Sequence, residues 1–268
     1  MKRDKASGNK KLRAAIKLAE EELRIGAKIL EWEIGDIWGH VGARLPGDNG
    51  IAVQMFRPPE QGNKNWLVHF DYSLKKLSGV GTIPREGVIY PAIFKLRPDV
   101  NAVVHCHASM CVALSLADKP IDWIHMQSSR FKGGTPIFPR PIYILDQAEG
   151  MALAETLGNA SAVMIKGHGI VTVGATIDEA CINALYMERT AKIMAIACLH
   201  GYQGPTQESI QILSASKKKL FTRPRASMPY SAEYGITTPT RSRKASAGRE
   251  ARPNPVRPVS SCGFRVSC

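Results

Sequence analysis

The residues best suited to chemistry are three histidines at two comparable places in the chain. His105 and His107 flank Cys106 in Ala102–Met110, where an apolar run gives way to small residues. In a strand, residues two apart point to the same face, so the two imidazoles converge on one point while Cys106 turns away. His168 ends a second apolar run, Val163–Gly169, between two glycines. Three histidines at two strand ends form a facial ligand set that leaves open positions for a substrate. An isolated His-x-His is as readily one core and one exposed histidine. The strand context and the third histidine favour a metal.

The elements that must position these side chains follow from periodicity. Leu12, Ile16, Ala19, Leu23, Ala27 and Leu30 make one apolar stripe, which predicts an amphipathic helix over Lys10–Glu33 that Gly35 ends. Strand-like runs follow at His40–Leu45, Ile51–Arg57 and Trp66–Tyr72. The first two are joined by the hairpin-type turn Pro46-Gly47-Asp48-Asn49-Gly50, and a polar loop begins at Pro58-Pro59. Leu77–Pro84 reads as a loop. Arg85–Leu96 reads as a helix with Glu86 in its first turn, where the helix dipole favours a carboxylate, and Arg97-Pro98 stops it.

After the His105 strand come a short helix at Ser109–Ala117, an irregular stretch with Trp123 and His125, and a Gly/Pro-rich loop with a short strand within Phe131–Pro141. A helix at Asp146–Leu157 ends at Gly158. Ala162–Thr172 reads as a second central strand carrying His168. Thr176 and Glu179 form a capping-box pattern that starts a helix to about Leu199, and Thr206–Lys219 is a last amphipathic helix. Strands interleaved with helices predict a layered α/β domain around a mixed sheet. There is no glycine-rich dinucleotide fingerprint and no P-loop.

The totals narrow the class. Hydrophobic residues make up 44% of 268, enough for a substantial core. No apolar run reaches the roughly 18 residues of a membrane span. The first 13 residues are basic, with no apolar stretch behind them, so no signal peptide is expected. The net charge is +13, but residues 217–268 hold 12 Lys/Arg against 2 acids. The basic charge therefore sits in the termini, which does not describe a basic-faced nucleic-acid domain. A membrane binder or nucleic-acid binder working through this tail would lose its function with the tail. None of the six cysteines forms a CxxC pair, and four lie in apolar contexts, which suits free thiols in a reducing cytoplasm. The expected organisation is a catalytic unit over 1–216 and a basic, Pro/Ser-rich tail over 217–268.

Arg97-Pro98-Asp99-x-Asn101-Ala102-Val103-Val104-His105-x-His107, followed by Gly167-His168-Gly169 and Thr172-Val173-Gly174 before a capped helix, resembles the class II aldolase/adducin family over about Leu12 to Gly201. The resemblance implies an α/β/α sandwich around a mainly antiparallel sheet, and a homotetramer in the cytoplasm. It assigns the metal to His105, His107 and His168. It also places the family's catalytic acid/base glutamate, nineteen residues before the first ligand, at Glu86, which would serve as acid/base or as a further metal ligand. The implied cofactor is a divalent metal, Mn2+ first, with Zn2+, Fe2+ and Co2+ as the alternatives.

The chain departs from the family's sugar-phosphate enzymes where they hold phosphate. Their Ser-Ser pair before the glutamate is replaced by Pro84-Arg85, and the first hairpin reads Gly39-His40-Val41-Gly42-Ala43-Arg44. Proline cannot donate a hydrogen bond, and arginine brings a planar fork for a carboxylate. Arg85, Arg44 and His40 are therefore the expected substrate contacts, and His125 is a candidate proton donor. The pattern is similar to a decarboxylase branch of the family that removes CO2 from hydroxylated aromatic or pyridine dicarboxylates. A small-molecule aromatic carboxylate is thus the expected partner, with 3-hydroxy-2-methylpyridine-4,5-dicarboxylate of vitamin B6 degradation as the leading example. The alternatives are an aldolase or epimerase on a sugar or sugar phosphate, and an adducin-like interaction module, which would tend to lose the metal histidines.

Overall fold

A computed structural model describes residues 2–47, 49–56 and 66–222, with side chains over 9–47, 49–56 and 66–219. The expected loop at Pro58-Pro59, and the tail beyond Thr222, lie outside the described residues. The tail expected from 217 onward begins inside the last helix, α6 (Gln207–Thr222).

The centre is one eight-stranded sheet in the order β4-β3-β2-β1-β5-β8-β7-β6. Its strands are β1 (His40–Arg44), β2 (Ile51–Met55), β3 (Leu67–Phe70), β4 (Lys76–Gly79), β5 (Ala102–Cys106), β6 (Ile137–Phe138), β7 (Ala162–Ile165) and β8 (Gly169–Gly174). Every neighbouring pair is antiparallel except β6 with β7. Helices cover both faces, giving the α/β/α sandwich. On one face α1 (Lys2–Ile34), α3 (Ser109–Leu116) and α5 (Ile177–Leu199) close a core with Val41, Val104, Cys106 and Ile170. On the other, α2 (Ile89–Leu96) and α4 (Gln147–Leu157) close a core with Val53, Val103, Val171 and Val173. Strand alternation sorts these side chains: in β5, Val104 and Cys106 go to one core while Val103 goes to the other.

Local signals account for the element ends. Thr176 accepts from the Glu179 N–H at the start of α5, and Asp146 with Glu149 forms a reciprocal cap on α4. Gly35 ends α1 with a positive φ of 76°.

Three expectations are corrected. Leu77–Pro84 is not all loop, because Lys76–Gly79 pairs with β3 as an edge strand. All four of its residues are exposed, so no alternation marked it. Ala162–Thr172 is not one strand but the hairpin β7–β8. The chain reverses at Lys166–His168, with Gly167 at φ 66° and the His168 N–H bonded to the Ile165 carbonyl. Helix α2 starts at Ile89, and residues 85–88 form turns, so Glu86 is outside the helix and the dipole argument for it fails.

Candidate metal centre and its cavity

Strand pairing brings the histidines together. β5 delivers His105 opposite His40 of β1, and its register with β8 sets the β7–β8 turn beside the end of β5. The close approach needs Gly169, since a Cβ there would meet the Cys106 carbonyl oxygen at 2.6 Å. Glu86, from the turn before α2, completes the group. Glu86, His105, His107 and His168 each offer one ligand atom, and these atoms all lie within 4.8 Å of one another.

Each of the three histidines is oriented through Nδ1. The His105 Nδ1–H donates to the Ile170 carbonyl at 3.0 Å, and the His168 Nδ1–H to the Ile142 carbonyl at 2.8 Å. The His107 Nδ1–H donates to Asp36 Oδ2 at 3.0 Å, and that same oxygen also accepts the His107 backbone N–H at 2.8 Å. A histidine that gives its Nδ1–H to a carbonyl or carboxylate keeps its Nε2 lone pair for a metal.

Glu86 is anchored in the same manner. Its Oε1 accepts the Ile144 N–H at 2.8 Å, while Oε2 lies 3.1 Å from His105 Nε2 and 3.4 Å from His168 Nε2. His168 Nε2 is buried and has no hydrogen-bond partner among the described residues. An orphaned imidazole nitrogen beside a carboxylate and two further imidazoles is the donor set a divalent cation satisfies.

The charges follow the same geometry. Burial would raise the Glu86 carboxyl, yet the neighbouring His105 and His168 rings and the Ile144 N–H hold it well below the usual carboxylate range. Burial would also raise Asp36, but its bonds from His107 bring it down to about 2. His168 is pushed down by burial and up more strongly by Glu86, so it ends above its ordinary value. Glu86 and Asp36 are therefore held as carboxylates beside the three imidazoles.

A cavity of about 720 Å³ opens on this cluster. Glu86, His107 and His40 line it, with aromatic walls from Trp38, Trp66 and Tyr143 and a guanidinium from Arg85. Residues 32–195 match the class II aldolase and adducin N-terminal domain. The chain is a member of the class II aldolase and adducin family.

Two chemistries occur among the relatives it resembles. It is 26% identical over 189 residues to a 3,4-dihydroxyphthalate decarboxylase of Arthrobacter keyseri, covering 65% of this chain and 76% of that one. It is 31% identical over 160 residues to an L-fuculose phosphate aldolase of Escherichia coli O6:H1, covering 59% and 70%. The fold is that of an L-fuculose 1-phosphate aldolase from Glaciozyma antarctica PI12, with a TM-score of 0.66, 22% identity, and 78% and 84% of the two chains covered. Members of the family are metal-dependent lyases.

The structure divides the expected site residues. His105, His107, His168 and Glu86 meet in the cluster. His40 and Arg85 line the cavity, and Arg85 makes no ion pair or hydrogen bond among the described residues. Arg44 does not reach the cavity. Its guanidinium donates to the carbonyls of Phe94, Arg97 and Val100 and lies over the Phe94 ring, closing the end of α2. His125 is also elsewhere. It precedes a 3₁₀ turn at Met126–Phe131, and its ring bonds Gln127 and Thr190 of α5.

Sequence reasoning missed several residues. Asp36 sits between Gly35 and Gly39 in the short connection from α1 to β1, where an acid reads as ordinary loop polarity. Glu188, inside α5, accepts the Met110 and Cys111 N–H groups and so fixes the chain just after His107. Tyr143 stands 5.2 Å from the His168 ring. A lone acid ahead of a strand bearing His40 was the one available signal for Asp36.

Proposed function

We propose that this protein is a divalent-metal-dependent decarboxylase acting on a hydroxylated aromatic dicarboxylate whose hydroxyl is ortho to the departing carboxylate. The observation that carries the reading is the cavity. Where the family's sugar-phosphate enzymes hold phosphate with hydroxyls, Pro84-Arg85 stands, and Arg85, which has no partner among the described residues, lines the cavity together with Trp38, Trp66 and Tyr143. A planar ring fits beside such aromatic side chains, and the planar fork of arginine matches a second carboxylate. The Arthrobacter keyseri relative, a 3,4-dihydroxyphthalate decarboxylase, supports the same substrate class.

His105, His107 and His168 would hold the metal, with Glu86 beside them. A divalent cation bound there would supply Lewis acidity for the loss of CO2. The chain's own groups do the rest. Arg85 and His40 bind and orient the ring through the carboxylate that stays. Trp38 and Trp66 restrict water. Glu86 Oε2, the oxygen not tied to Ile144, manages the proton that the ring carbon must gain. The balance is one C–C bond broken, one C–H bond formed, one proton consumed and CO2 released.

Mn2+ is the proposed ion, and a cytoplasmic homotetramer the proposed setting. The test is CO2 release from a panel that includes 3,4-dihydroxyphthalate and 3-hydroxy-2-methylpyridine-4,5-dicarboxylate. It is run on metal-free protein and on protein reloaded with Mn2+, Zn2+, Fe2+ or Co2+. Chelator-sensitive release from one member establishes the reaction and its ring. No release from any member, alongside clean cleavage of a ketose phosphate, would return the chain to the aldolases.

A further inference from the structure

Four histidines stand at the cluster and the cavity beside it, and they are wired in two opposite ways. His105, His107 and His168 each send Nδ1–H outward to an oxygen that only accepts, a carbonyl or a carboxylate. His40 instead places Nδ1 2.7 Å from the Tyr90 hydroxyl. Tyr90 is completely buried, and this is the one hydrogen bond of its hydroxyl among the described residues. If His40 Nδ1 carried the proton, the phenolic hydrogen would be buried without an acceptor. The arrangement that satisfies both groups has the Tyr90 O–H donating to an unprotonated Nδ1. The imidazole proton then sits on Nε2, the ring edge left for the cavity that His40 lines.

The surroundings hold this pair in place. Phe70 and Phe94 pack against the Tyr90 ring at 6.2 and 6.4 Å. Gly42, two residues after His40, leaves room for it, since a Cβ there would come within 2.4 Å of the ring. His40 stands directly opposite His105 in the sheet, with ring centroids 5.2 Å apart, yet it is not among the four clustered ligand residues. An N–H cannot ligate a cation, so the wiring explains how a fourth histidine stays off the metal.

We propose that Tyr90 is a positioning residue whose buried hydroxyl fixes His40 as the Nε2–H tautomer, so that His40 offers a hydrogen-bond donor to a substrate carboxylate rather than a lone pair to the metal. The carboxylate part rests on the decarboxylase reading; the tautomer part does not.

Long-range 1H–15N spectra of the histidine side chains, with and without Mn2+ replaced by diamagnetic Zn2+, test the tautomer directly. The His40→Gln protein identifies the signals. The expected result is a pyrrole-like Nε2 for His40 and a pyrrole-like Nδ1 for the other three. An Nδ1–H form of His40 overturns the proposal. In Tyr90→Phe, which keeps the ring packing, the His40 signals should move to a mixture of tautomers, and an unchanged spectrum overturns the role of Tyr90.

Phthalate, a dicarboxylate without the hydroxyl, probes the donor by calorimetry on Zn2+-loaded protein. His40→Met should weaken phthalate by about tenfold or more, while His40→Gln, whose amide N–H₂ replaces the Nε2–H, should restore most of it. Equal affinity in wild type and His40→Met, or a wild type that ignores phthalate, overturns the carboxylate half. Failure of CO2 release in the panel would sink the decarboxylase reading and leave the spectra standing.

Discussion

The two ends of β1 carry polar side chains on the same face, over the same helix, and use them for different purposes. His40, Gly42 and Arg44 all face α2, where Tyr90 and Phe94 are one turn apart. At one end the Tyr90 hydroxyl takes a single imidazole nitrogen and leaves the other for the cavity. At the other end Arg44 gives Nε and Nη2 to the Phe94, Arg97 and Val100 carbonyls and Nη1 to the Tyr72 hydroxyl. The last carbonyls of a helix lack partners within it, and a cation there also suits the dipole. The comparison teaches that two polar side chains on one strand face can be directed to different ends, one closing a helix and the other lining the cavity. A further contrast separates His168, with a buried orphan nitrogen, from His125, whose two nitrogens both have partners.

The sharpest break of the comparison is at His168. His168→Ala should lose the metal, read by elemental analysis of the purified protein. Turnover should fall by about 10²–10⁴, the range that several kcal/mol of Lewis-acid assistance represents. His125→Ala should keep both. Full metal content in His168→Ala would refute the three-histidine centre.

Asp36 comes next, because it acts on His107 from behind. Asp36→Asn should weaken metal binding by about 10–100-fold, as loss of an outer carboxylate does at other sites, measured by chelator competition. Its acid behaviour has a definite sign. A carboxylate lowered to about 2 in the folded state contributes stability that is complete above its unfolded value near 4 and is lost as pH falls toward 2. Metal-free wild type should therefore lose about 2 kcal/mol relative to Asp36→Asn across that window. Parallel acid-unfolding curves for the two proteins would contradict a stabilising role for the two bonds that His107 gives Asp36.

Much of the fold could be read because its signals are local. The apolar stripe of α1, the caps on α4 and α5, and the runs that became β1, β2, β3 and β5 all express themselves within a few residues. The cluster was legible for a related reason: strand alternation orients His105, His107 stands one residue past the end of β5, and the family spacing pointed to Glu86. What escaped depends on distant partners. β4 is wholly exposed and exists through its register with β3. The β7–β8 reversal reads as an apolar run until Gly167 takes a positive φ. Glu86 lies near α2 but owes its low pKa to histidines and to Ile144, not to the helix. Arg44 and His40 look alike in sequence because nothing near them tells which end of β1 meets the cavity.

Arg85 sharpens the comparison from the cavity side. It is exposed at the wall of the cavity with no partner of its own among the described residues. Arg85→Met should raise KM for the dicarboxylate by about tenfold, with kcat changed less, because an exposed cation contributes binding that is made equally in ground and transition states. Added salt should shrink the difference between the two proteins. A fall in kcat with KM unchanged would place Arg85 in the proton chemistry instead.

Arg44→Met is expected to disturb the site least, although Arg44 has the more elaborate contacts. Methionine keeps the apolar stem against Phe94 and removes only the bonds that close α2. Hydrogen bonds from a charged group are worth about 1.5–3 kcal/mol net, and water can replace part of them at a half-buried position. A loss of about 2 kcal/mol, or roughly 4–8 °C in Tm, follows for a domain of this size. Metal content, KM and kcat of the protein that remains folded should match wild type at a temperature below both transitions. A raised KM in a protein of unchanged Tm would mean that the two ends of β1 share one function, and that the geometric distinction between His40 and Arg44 does not govern the chemistry.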